Sequence, residues 1–141
     1  MVDISWEVAD SLAAELAAVV ERGNCRPNII MAMARGGFVP ARLLSSRLDV
    51  RRMASIGITY ADAGRTELII YSVPQPLGDE HRILLVEDVV ETGRSLRDAH
   101  TYLTTNGAKV WTAAFYYQSR SVISPDFSLG IRDDLPKFPW E

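Results

Sequence analysis

The chain has one cysteine, Cys25, among its 141 residues. A single thiol excludes an intrachain disulfide and any cysteine-rich metal site. A lone cysteine more often packs as a small hydrophobe than acts as a nucleophile, and Cys25 is read that way. Histidine is nearly as scarce: His81 reads as a loop residue and His100 as part of a helix, and neither has metal-like company. No apolar run approaches the ~20 residues that a bilayer span needs. The first residues lack the basic-then-apolar order of a secretory leader, so a cytoplasmic protein with no membrane partner is expected. Excess positive charge is missing too. The 15 Lys and Arg residues are outnumbered by 18 Asp and Glu, giving a net charge of -3. That balance argues against nucleic acid as a general partner and leaves room only for a local basic patch. Repeats, low-complexity stretches and linkers are also absent. With 48% hydrophobic residues the chain can bury a core without staples, and one domain over residues 1–141 is expected.

What is present is an alternation of helical and extended patterns. Trp6, Leu12, Leu16, Val19 and Val20 recur at helical spacing, with Ser5 placed to cap the start and Gly23 to end it. Asn28 to Met33 is an apolar run of strand length. It is followed at once by Ala34-Arg35-Gly36-Gly37 and by a second helical pattern with Leu43, Leu44 and Leu48. Pro40 falls in that helix's first turn, where it is tolerated. Met53 to Tyr60 and Thr66 to Ser72 read as a hairpin or flap, about residues 58–68, whose polar tip contains Gly64. Ile83-Leu84-Leu85-Val86 is apolar throughout, as in a strand buried on both faces. After an acidic, Gly-containing loop, Leu96, Ala99 and Leu103 mark a helix ended by Asn106-Gly107, and Val110 to Tyr116 returns as a strand. Strand, helix and strand within about thirty residues make a βαβ unit. The fold class is therefore α/β, with a mainly parallel open sheet flanked by helices. Ligands bind such sheets at the carboxyl ends of the strands, where the loops after Met33 and Val86 both emerge.

The second loop carries the chemistry. Glu87 and Asp88 close a buried strand, and Thr92-Gly93-Arg94-Ser95 opens a helix. The unpaired N–H groups and dipole of a helix start attract phosphate. Thr92 and Ser95 add hydroxyls, and Gly93 lets the backbone approach the anion. Two carboxylates would repel that phosphate, so Glu87 and Asp88 call for a different partner: adjacent ribose hydroxyls or a hydrated Mg²⁺. A ribose 5-phosphate satisfies both halves of the site. The bland alternative is a pair of helix-capping acids beside an ordinary turn.

Val86 to Ser95 resembles the phosphoribosyl pyrophosphate (PRPP) motif of type I phosphoribosyltransferases: apolar residues, two acids, two variable residues, an acid, Thr-Gly and a hydroxyl residue. The resemblance implies that Glu87 and Asp88 hold the ribose hydroxyls and, through them or water, Mg²⁺. Val89, Val90 and the stretch Glu91, Thr92, Gly93, Arg94 and Ser95 would enclose the ribose 5-phosphate. Ala34, Arg35, Gly36 and Gly37 match the family's pyrophosphate loop in position, with Arg35 a bidentate donor. The order of the two loops resembles the family from about Asn28 to Tyr117. The Phe138-Pro139-Trp140-Glu141 ending, Trp6 and Tyr116-Tyr117 are similar to the small xanthine, hypoxanthine and guanine phosphoribosyltransferases. That branch implies a homodimer, a carboxy-terminal hood at about residues 118–141, and transfer of the phosphoribosyl group from PRPP to an oxopurine nucleobase.

Two positions depart from that branch. Gln118 stands where a Lys usually contacts the 6-oxo group, and Leu135 stands where an aromatic residue usually stacks on the base. They are the candidate base-binding residues, without charge assistance or ring stacking. Glu91 replaces an Asp implicated in proton transfer and, with Arg35, is the candidate catalytic residue. Trp140 is read as a packing anchor rather than a base contact. Arg65 is a further candidate for pyrophosphate. A PRPP- or nucleotide-sensing regulator of the same fold, an enzyme for another base, and an unrelated phosphate-binding domain are the competing readings.

Overall fold

A computed structural model describes residues 2–72 and 78–141 of the chain. The first helix, α1, spans Trp6–Arg22, and Ser5 caps it by accepting from the Val8 N–H at 3.2 Å. Gly23 ends this helix, but the left-handed residue is Asn24 at φ 57°. Gly23 is needed for space instead: a Cβ there would lie 2.3 Å from the Phe127 ring.

The remaining elements follow in chain order: β1 (Ile29–Met33), α2 (Phe38–Leu48), β2 (Met53–Tyr60), β3 (Leu68–Tyr71), β4 (Arg82–Val90), α3 (Arg94–Thr105) and β5 (Lys109–Tyr117). The sheet order is β3-β2-β1-β4-β5. All neighbouring pairs are parallel except the β2–β3 hairpin. The fold is therefore the α/β arrangement expected: a mostly parallel five-stranded sheet with helices packed on it.

Every residue of β1 is buried, as a central strand covered on both faces must be. One core cluster joins Leu16 and Val20 of α1 and Leu44 of α2 to Ile30, Leu84 and Phe115 of the sheet. The other packs Leu96, Ala99 and Leu103 of α3 on Met31, Met33, Ile83 and Leu85. The two clusters fix the central strands from both sides and so hold the loops at their carboxyl ends in place.

Residues 118–141 add no regular element, yet they are tied to the sheet. Phe127 and Ile131 form parallel bridges to Ala113 and Tyr117 of β5, and Lys137 bridges to Asp3. The Leu129 N–H donates to the Phe115 carbonyl at 2.8 Å, and the Arg132 N–H to the Tyr117 carbonyl at 2.9 Å. The tail thus covers the β5 edge, which otherwise would offer unpaired backbone groups. Phe138, 1% exposed and stacked on Phe115, anchors its end.

Candidate active site

β4 continues four residues beyond the apolar run, through Glu87, Asp88, Val89 and Val90. The physical reason is its partner. β5 supplies ladder positions up to Val89↔Tyr116 and Val90↔Tyr117, and the two valines suit a pleated surface. The acid pair therefore stands on the strand, as expected, with its backbone held in the ladder, and the strand runs on through Val89 and Val90. Asp88 is buried and Glu87 half-buried. Burial first, and the neighbouring Asp88 charge second, push the Glu87 carboxyl well above its ordinary value. The Glu87 carboxylate accepts from the Asp88 N–H at 3.1 Å, and that of Asp88 from the Val89 N–H at 2.7 Å.

The turn between β4 and α3 is sharp. Gly93 is the N-cap of α3 at φ 78°, and a Cβ there would meet the Ser121 hydroxyl at 2.3 Å. Left-handed geometry and lack of room both demand glycine. No side chain caps α3 and no acid lies in its first turn. The Thr92 hydroxyl accepts from the Arg94 N–H only at 3.4 Å. The start of this helix is thus electropositive and open to an anion.

Gly36 brings the first loop against the second: a Cβ on it would stand 2.6 Å from the Asp88 carboxylate. Gly37 has a different task. A Cβ there would lie 2.2 Å from the Val86 carbonyl oxygen, so this glycine lets the loop cross between β1 and β4. The N–H groups of Ala34 and Gly37 donate to the carbonyls of Ile56 and Met33. Arg35, joined to Ala34 by a cis peptide bond, is exposed.

Gly36, Glu87, Asp88, Val89, Val90, Glu91, Thr92, Gly93 and Ser95 line one cavity of about 360 Å³. Nine of the residues singled out in the sequence are thereby brought together. Ala34, Arg35, Gly37, Arg94, Gln118 and Leu135 are not among its lining residues. The Gln118 amide is already engaged: its nitrogen donates to the Asp133 carbonyl at 3.1 Å, and its oxygen accepts from Arg120 Nε at 2.7 Å. Ser119 donates through N–H and hydroxyl to the Asp133 carboxylate, which lies below its ordinary pKa for that reason.

Arg65, from the hairpin tip, lines the same cavity. The tip is knitted by Asp62, whose carboxylate accepts from the N–H groups of Thr66 at 2.9 Å and Glu67 at 2.8 Å. Where β2 enters the tip, the Tyr60 hydroxyl donates to Asp98 of α3 at 2.8 Å, and Arg65 lies over the Tyr60 ring at 5.5 Å. Sequence reasoning found Arg65 but missed the Tyr60–Asp98 tie, the Ser121 hydroxyl behind Gly93 and a bond between Trp140 and Asp88. Only the tertiary fold brings those pairs together.

A family model described as phosphoribosyl transferase domain matches residues 6–140. The chain belongs to the phosphoribosyltransferase family. Curated relatives include a xanthine-guanine phosphoribosyltransferase of Cereibacter sphaeroides, 28% identical over an aligned length of 116 that covers 79% of this chain and 68% of that protein. A second, from Ruegeria sp., is 29% identical over 79% of this chain and 67% of its own length. Among solved structures, a purine phosphoribosyltransferase from Pyrococcus horikoshii superimposes with a TM-score of 0.86 at 25% identity, covering 99% of this chain and 93% of that one. The xanthine-guanine-hypoxanthine phosphoribosyltransferase of Helicobacter pylori gives 0.87 with the same identity and the same coverage of both chains.

Proposed function

We propose that the chain acts as a single purine salvage phosphoribosyltransferase domain, transferring the 5-phosphoribosyl group of PRPP to an oxopurine base. The observation that carries this is the shared cavity in which two strand-held carboxylates face an uncapped helix start lined by Thr92, Gly93 and Ser95. Glu87 and Asp88 take the ribose hydroxyls, and the residues from Glu91 to Ser95, Arg94 included, cradle the 5-phosphate. Arg35, with the backbone of Gly36, and Arg65 from the flap at residues 58–68 face the pyrophosphate, where their donors stabilise the charge that develops on departure. Gln118 and Leu135, in the hood at residues 118–141, are assigned to the base. Closing the flap and hood over PRPP would exclude water, whose attack on the activated ribose is the obvious side reaction.

The residues fit Mg²⁺ as a shared rather than a protein-caged ion. Among the described residues no group of three or more His, Cys, Asp or Glu could hold a metal alone. Glu87 and Asp88 are adjacent, and Glu87 is held well above its ordinary pKa, so a cation would relieve their repulsion. Mg²⁺ commonly binds through one or two carboxylates plus substrate oxygens. When bound, it would supply charge neutralisation to the pyrophosphate.

Glu91 is exposed at the cavity wall and is assigned the proton from the attacking base nitrogen. Glu91→Gln should lower turnover by about 100-fold, in the usual range for general acid–base groups; full turnover would remove Glu91 from this role. The engaged Gln118 amide favours a second reading, a sensor that binds PRPP or nucleotide without transfer. Pyrophosphate release from PRPP and Mg²⁺, with hypoxanthine, guanine, xanthine, adenine, uracil and orotate offered separately, decides between them. Release with an oxopurine is the expected result. Release with another base would correct the acceptor, and PRPP binding without any release would establish the sensor. The resemblance also implies a cytoplasmic homodimer, which light scattering on the purified protein tests for its oligomeric part. No helix among the described residues is long and apolar enough to cross a membrane.

A further inference from the structure

We infer that Trp140 is a positioning residue for Asp88, fixing the carboxylate that receives the ribose. The inference rests on the PRPP reading of the cavity given above. Asp88 is 7% exposed, and a carboxylate so enclosed needs donors to replace the water it has lost. The Val89 N–H serves Oδ1 at 2.7 Å, and the Trp140 indole N–H serves Oδ2 at 3.0 Å. Gly36 closes a third side, with room for no Cβ within 2.6 Å of Oδ1. An ionised carboxylate has about four acceptor positions, so two remain for a pair of hydroxyls. An indole N–H only donates. It therefore orients the carboxylate without competing with those hydroxyls for its lone pairs.

Trp140 is itself held firmly enough to do this. Its ring stacks on Phe138 with centroids 4.7 Å apart and planes 12° from parallel, and it meets Trp6 at 5.9 Å. Phe138 is buried in the core. The chain before it is zipped to the amino-terminal segment: the Lys137 N–H donates to the Val2 carbonyl at 2.9 Å, and the Ile4 N–H to the Lys137 carbonyl at 2.8 Å. Both ends of the chain thereby converge on one carboxylate at the end of β4. A packing anchor alone would need an apolar ring there and no N–H.

Trp140→Phe keeps a ring against Phe138 and removes the donor. Its PRPP dissociation constant, by calorimetry, should rise about tenfold or more, the worth of a hydrogen bond to a charged group. In turnover the KM for PRPP should rise while the KM for the base stays. Leu12→Ala, which opens a cavity in the same core without touching the bonds of Asp88, should lower the melting temperature and leave PRPP affinity unchanged. The Trp140 indole resonance in a ¹⁵N spectrum should move in Asp88→Ala, which reports the bond with no PRPP present. PRPP binding by Trp140→Phe within twofold of the unmodified protein would overturn the inference. So would an affinity loss that merely follows melting temperature across the Phe and Ala variants. If the unmodified protein binds no PRPP, the reading of the cavity fails and takes the inference with it, while the indole shift still shows whether the bond exists.

Discussion

At the start of α1, Ser5 accepts from the Val8 N–H at 3.2 Å and Glu7 places a negative charge in the first turn. At the start of α3 there is neither a capping side chain nor an acid, and Gly93 stands at φ 78° with Ser121 pressed behind it. The same four N–H groups and the same dipole exist at both helices. In α1 the Ser5 side chain satisfies one of them, the Val8 N–H, and the helix serves the core through Leu12, Leu16 and Val20. In α3 no capping side chain serves them, and the nearby acids Glu87 and Asp88 stand on β4. A helix start without its own cap or acid is the feature on which the proposed phosphate site rests.

That comparison can be broken most severely by giving α3 the pattern of α1. Ser95 is the second residue of α3, as Glu7 is of α1. Ser95→Glu should place a like charge against the 5-phosphate, on the order of 4 kcal/mol at ~4 Å in a partly solvated site. PRPP affinity, by calorimetry, should fall about 1,000-fold, while the unliganded protein should melt no lower than before. Affinity within tenfold of the unmodified protein would show that the phosphate lies elsewhere.

A smaller effect tests the acid pair. A carboxyl whose pKa rises on folding binds its proton more tightly in the native state. Native stability from Glu87 is therefore full below its ordinary value of 4.5 and declines as pH climbs from there toward the raised native value. Glu87→Gln should remove that decline, so its melting temperature should depend less on pH above about 5, and it should bind PRPP poorly. A melting profile unchanged by the substitution would mean that Glu87 is not strained in the native protein. The smallest effect lies at α1. Ser5→Ala should cost about 1 kcal/mol, or about 4 °C in melting temperature, with PRPP affinity unchanged.

Much of this fold was legible because periodicity and punctuation agreed. The α1 pattern and the central apolar strands stand where the spacing put them, and the β2–β3 hairpin does too, with β3 starting at Leu68 rather than Thr66. The acid pair was legible as chemistry and as the close of a strand, but the run of that strand through Val89 and Val90 was not. Glu87 and Asp88 have poor strand propensity, and the ladder with β5, running from Glu87↔Ala114 to Val90↔Tyr117, keeps β4 extended through them. Gly36 and Gly37 looked alike in the sequence, yet one makes room for the Asp88 carboxylate and the other for the Val86 carbonyl. Trp140 lies 52 residues from Asp88. No local pattern carries that distance, so its indole could be read only as a hydrophobic anchor, which it also is.

The central claim is that the N–H groups opening α3 are kept for a phosphate and those opening α1 are not. Ribose 5-phosphate titrated into ¹⁵N-labelled protein, followed at every amide, tests it most directly. The account predicts shifts concentrated at Thr92, Gly93, Arg94, Ser95 and Leu96, with the amides of Trp6, Glu7 and Val8 unmoved. Saturating shifts that spare residues 92–96, or no saturable shift at all, would contradict it.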